Sequence, residues 1–135
     1  MPLLTLLFIR TALIYFGMGF TIGSFILIAK GTYLFPMSWL FLPVHIELLL
    51  FGWTLQLAIG VAFWIFPRFP KKPYRGREQS AWLSYILLNV GIVISVVGYL
   101  KTSLSPLILW GHILEVVAVL FFVLSVLPRV KAFAK

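Results

Sequence analysis

Apolar residues run in four long blocks, 11–29, 43–66, 81–100 and 106–127, separated by short stretches where polar residues, glycine and proline gather. Each block is about the ~20 residues that an α-helix needs to cross the hydrocarbon core of a bilayer. No water is available there for backbone N–H and C=O groups, so each block must close its hydrogen bonds internally as a helix. The block ends carry matching punctuation. Ser105 sets a capping hydroxyl before Pro106 at the first helical position, while Pro67, Pro70 and Pro73 stop the second helix. Ser38 offers that helix an earlier start. The pattern predicts an all-α integral membrane four-helix bundle, with residues 1–135 forming a single transmembrane domain.

Composition strengthens this reading. Apolar residues make up 62% of the 135-residue chain and charged residues 10%, whereas a soluble domain is about half apolar and a quarter charged. A chain this short has no room for a second core and a linker. The absence of cysteine excludes disulfides, thiolate-held metal centres, a thiol nucleophile and covalent haem attachment. Any cofactor is therefore held by other ligands.

A net charge of +8 does not point to nucleic acid, which requires a solvated basic face. It reads as topology. Four crossings place the N-terminus, the 68–79 loop and the C-terminus on one side. That side holds nine of the eleven cations: Arg10, Arg68, Lys71, Lys72, Arg75, Arg77, Arg129, Lys131 and Lys135. The other side holds only Lys30 and Lys101. By the positive-inside rule both termini are cytoplasmic, as expected of a multi-pass protein of the inner (cytoplasmic) membrane. Arg10 follows an apolar run and no small-residue cleavage site appears, so the first helix is expected to stay attached. Arg10 and Lys30 are ~30 Å apart along a helix and bracket the first span. Residues 1–9 either lie at the interface or lengthen a tilted helix.

Polar side chains within the spans are few: His45, Glu47, Gln56, Asn89, His112 and Glu115. Each is expensive in hydrocarbon and needs a reason. His45 and His112 are the only histidines, near the outer ends of the second and fourth helices, which run in the same direction. At 100° per residue, His45, Gly52, Gln56 and Phe63 share a stripe, with Gly52 leaving a flat recess two turns from His45. Such a recess suits a porphyrin, and two imidazoles from parallel helices supply both axial positions of a non-covalent haem b. The plainer reading has His45 wetted by headgroups and Gly52 serving close helix packing. Lys30 and Lys101 are the cations available to haem propionates, their plainer role being to snorkel. Trp39, Trp110, Tyr33 and Tyr99 read as interface anchors.

Glu115 lies 60° around the helix from His112 and ~13 Å below Pro106. With Asn89 and Gln56 it forms a candidate proton-accepting site or, more plainly, an interhelical hydrogen bond. Glu47, 200° from His45, reads as solvated near the outer interface. Gly19 and Gly23, and Gly91, Ser95 and Gly98, make small-residue faces that offer a homo-oligomer contact or docking to a larger complex. Too few polar residues line a continuous route for a transporter.

The second helix carries a resemblance. His45-Ile-Glu-Leu-Leu-Leu-Phe-Gly52-Trp53 and Gly60-Val-Ala-Phe-Trp-Ile-Phe-Pro67-Arg68, followed by Gln79-Ser-Ala-Trp82 and Gly91, resemble part of the heme-copper oxidase subunit I superfamily. The likeness is closest to C-type oxidases, nitric oxide reductases and nitric-oxide-response haem proteins, and covers roughly the middle third of the chain. It implies that His45 binds low-spin haem, with a glycine two turns on and Pro-Arg closing the inner end. Two histidines fall short of that family's binuclear centre, and His112-Ile-Leu-Glu115-Val is only loosely similar to its Gly-His-Pro-Glu-Val. The expected function is therefore haem b electron transfer in respiratory or nitric oxide chemistry, with a quinone or a respiratory-complex subunit as partner. The alternative is a haem-free accessory subunit of a larger oxidase or reductase.

Overall fold

The computed structural model describes residues 2–33, 35–67, 69 and 78–133. Four helices account for nearly all of them: α1 (Leu3–Thr32), α2 (Pro36–Ile65), α3 (Glu78–Leu100) and α4 (Pro106–Phe133). All four are long and apolar enough to cross a membrane, as in a multi-pass membrane protein, and no strand is present among the described residues. Pro70, Pro73 and six of the cations used for the topology argument, Arg68, Lys71, Lys72, Arg75, Arg77 and Lys135, lie outside the described residues.

The helices begin and end differently from the blocks of hydropathy. α1 is continuous from Leu3, so residues 3–9 lengthen the first helix and do not lie flat. Packing explains this: Phe8 is fully buried and meets Tyr85 edge-on at 5.0 Å. α2 starts at Pro36, before either start suggested by the sequence, with a 3₁₀ stretch over Pro36–Phe41. Its middle, Leu48–Leu55, is a π-helix. There the Thr54 hydroxyl donates to the Leu49 carbonyl five residues back, at 2.9 Å. A wide turn of this kind advances fewer degrees per residue and shifts the faces that follow it.

α4 runs past Leu127 and through Pro128. Proline removes only one amide donor, and the next residue ties the extra turn down. The buried Arg129 donates from Nε to the Pro67 carbonyl at 2.8 Å, and from Nη2 to Phe66 and Phe63 carbonyls at 2.6 and 3.3 Å. These carbonyls belong to the C-terminal end of α2, where acceptors lack intrahelical partners.

α1 lies along α2, and α3 pairs with α4 along its length. Glycines set both approaches. A methyl group on Gly91 would come within 2.8 Å of the Gly111 carbonyl oxygen, and one on Gly19 within 2.6 Å of Leu49. The pairs meet around a core that includes Phe8, Val44, Leu48, Phe63, Leu88, Ile92 and Ala118. Between α2 and α4 the packing opens into cavities.

Candidate functional site

Three polar side chains converge at that opening. Glu47, His112 and Glu115 each present one ligand atom, all within 4.8 Å of one another. His112 and Glu115 are three residues apart on α4 and so share a face, with His112 Nδ1 3.1 Å from Glu115 Oε2. Glu47 comes from α2, just before the π-helical stretch. α3 supports the cluster from behind. The Ser95 hydroxyl donates to Glu115 Oε1 at 3.3 Å, and the Tyr99 hydroxyl is 3.1 Å from His112 Nε2. Gly91 allows this closeness, because a methyl group there would lie 3.0 Å from Glu115 Cγ.

Both carboxylates are only 2% exposed, and Glu47 Oε1 has no hydrogen-bond partner among the described residues. Two carboxylates this close in hydrocarbon cannot both keep an uncompensated charge, so a proton or a cation must stand between them. The donor set of one imidazole nitrogen and two carboxylate oxygens suits a divalent metal. With bonds of about 2.0–2.2 Å, the ligand atoms of a tetrahedral site lie about 3.3–3.6 Å apart. The 3.1 Å between His112 Nδ1 and Glu115 Oε2 is close to that edge. Ser95 on a carboxylate and Tyr99 on the other ring nitrogen are the outer contacts that orient such ligands. Beside the cluster is a cavity of about 420 Å³ bounded by Leu42, Pro43, Ile46, Phe51, Tyr99 and Val116 together with Glu47, His112 and Glu115.

The sequence-predicted residues fall into separate places. His45 turns to α1: its Nδ1 is 2.8 Å from the Gly19 carbonyl oxygen, and its ring covers Gly23. Gly52 is covered by the Tyr15 ring, whose Cγ would be 2.7 Å from an added methyl group. Gln56 reaches the Phe8 carbonyl at 3.5 Å. Three of the four positions read as a porphyrin face, His45, Gly52 and Gln56, thus meet α1, while the Phe63 ring lies 5.2 Å from the Arg129 guanidinium of α4. His112 engages α3 and Glu47 instead, so His45 and His112 present themselves to different neighbours. Lys30, assigned to a propionate, lies over the Trp39 ring at 5.5 Å, and Lys101 is exposed beyond α3.

Glu47 is buried in the cluster, not solvated, because α4 covers the face opposite His45. Glu115, Asn89 and Gln56 do not converge: Asn89 accepts from the Tyr15 hydroxyl at 3.0 Å and donates to the Tyr85 carbonyl at 2.8 Å. Gly19, Gly23, Gly91 and Gly98 all meet atoms of this same chain, so those faces are already used within the bundle. Sequence reasoning missed Glu47, Ser95 and Tyr99 as members of one site. The i, i+4 spacing of Ser95 and Tyr99 was the available signal. No protein-family model, curated protein or solved structure matches this chain, so the site rests on its own geometry.

Proposed function

We propose that this chain is a membrane-embedded metalloprotein in which Glu47, His112 and Glu115 hold one divalent cation beside an open cavity. The observation that carries the reading is Glu47 Oε1, buried at the cavity wall without a partner among the described residues. Leaving such an atom unmade costs about 1–3 kcal/mol or more, and a cation removes that cost. Two carboxylates and a neutral imidazole balance a divalent ion to zero net charge, which suits a site within a bilayer. The mixed nitrogen and oxygen set favours zinc, manganese or ferrous iron over calcium or magnesium, which take oxygen alone. Three protein ligands leave a coordination position for a small molecule, as in catalytic and not structural sites. A cation so held polarises an oxygen ligand.

The charge distribution supports a cytoplasmic-membrane protein with both termini inside. The cluster then lies toward the outer leaflet. An electron carrier with haem b between His45 and His112 draws no support from these contacts, and neither does docking to a larger oxidase through the glycine faces.

The test is the metal content of purified protein, with cobalt as a spectroscopic substitute. Wild type retains one cobalt ion per chain. Glu47→Gln, nearly isosteric, binds it more weakly by at least the ~10–100-fold that outer-contact changes produce. Wild-type protein of native helicity that takes up no divalent metal overturns the reading.

A further inference from the structure

The seam between α2 and α4 does not end at the cluster. The 420 Å³ cavity shares Phe51, Glu115 and Val116 with a second cavity of about 200 Å³, which is otherwise lined by Leu55, Val119 and Leu120. Beyond Glu115 that second cavity has no polar side chain. Val116 and Leu120 are exposed on the outer surface of α4, the surface that a membrane-spanning helix turns to lipid. The path to the cluster therefore has a polar head end and an apolar tail end, and it opens sideways into the bilayer. The lining matches an aliphatic chain, since Phe51, Leu55, Val116, Val119 and Leu120 offer it only apolar contacts beyond Glu115.

We propose that this seam takes a single-chain amphiphile from the bilayer, with an oxygen-bearing head at the Glu47, His112 and Glu115 cluster and an aliphatic tail along Phe51, Leu55 and Val119. This rests on the metal reading, since the head completes the coordination of the cation. The Tyr99 phenol, in the wall of the larger cavity and 3.1 Å from His112 Nε2, is available to hydrogen-bond such a head.

The experiment uses the full chain in lipid nanodiscs, loaded with cobalt, with decanohydroxamic and acetohydroxamic acids as long and short probes. Visible absorption of the cobalt reports head coordination, and metal analysis of the same sample reports cobalt retention. Leu55→Trp fills the tail cavity, and Val119→Phe is the second variant should the first lose helicity. The long probe partitions into lipid equally for all variants, so only the comparison between variants reads the seam. The expected result is that the filled variant keeps its cobalt and its response to the short probe, while its affinity for the long probe falls by about tenfold, a typical steric discrimination in an apolar pocket. Equal long-probe affinity in wild type and variant overturns the amphiphile proposal and leaves the metal site standing. A cobalt spectrum unmoved by either probe does the same. Failure of wild type to bind cobalt overturns the metal reading and this proposal with it.

Discussion

Glu47 concentrates the tension between stability and function in one side chain. Its carboxylate is buried, one oxygen is partnerless among the described residues, and another carboxylate and an imidazole lie within 4.8 Å. A residue retained only for packing has no need of such an arrangement. Replacing a buried unsatisfied polar group by an apolar one of similar size removes a penalty of about 1–3 kcal/mol, and sites kept for function commonly cost stability in this way. Glu47→Leu is therefore expected to stabilise the metal-free protein by about 1–3 kcal/mol in a mixed-micelle unfolding titration, while abolishing cobalt binding. A variant that is less stable than metal-free wild type would make Glu47 a structural hydrogen-bonding group. The neighbouring Ser95 is fully buried and acts through Glu115, as an orienting contact and not a ligand.

At the scale of helices, Arg129 fastens the end of α4 to the end of α2. It is 1% exposed, reaches three carbonyls of the α2 terminus, and lies 5.2 Å from the centre of the Phe63 ring. A cation at a helix C-terminus also meets the negative end of the dipole. Arg129→Leu is expected to destabilise the bundle by about 2–3 kcal/mol, in line with losing hydrogen bonds to a charged donor. Arg129→Lys should recover less than half of this, because an ammonium lacks the planar fork that spans several acceptors; thermal unfolding in detergent measures both. The four spans were legible because a twenty-residue apolar block has few alternatives in a bilayer. Arg129 was legible only as a positive charge, since counting charges does not say what a long side chain reaches. The orientation of Glu47 away from His45 was likewise legible from helix phase. Its burial was not, because the phase of one helix does not say which neighbour covers the opposite face. The π-helical stretch of α2 is a further case: its pitch depends on what α1 and α3 pack against it, and hydropathy carries no trace of that.

Taken as a whole, the molecule is two helix pairs, α1 with α2 and α3 with α4, and the cluster lies where the second pair faces the first. Its height follows from the chain. His112 and Glu115 are six and nine residues past Pro106, ~9 and ~13 Å along α4, less than halfway across a hydrocarbon core of ~30 Å. The near end is the one with Lys30 and Lys101, the cation-poor end that the positive-inside rule puts outside. An ion released from the cluster therefore has the shorter path, ~9–13 Å, to the outer surface, where a chelator confined to water captures it. Sidedness thus becomes measurable through the metal. In right-side-out vesicles loaded with cobalt, external EDTA, which does not cross the bilayer, is expected to strip the ion several-fold faster than in inverted vesicles from the same cells. A fluorescent-protein fusion at the C-terminus reports orientation in both preparations. Faster stripping from the inverted vesicles, with that C-terminus cytoplasmic, would place the open side of the site toward the cytoplasm and refute the height assigned to His112 and Glu115.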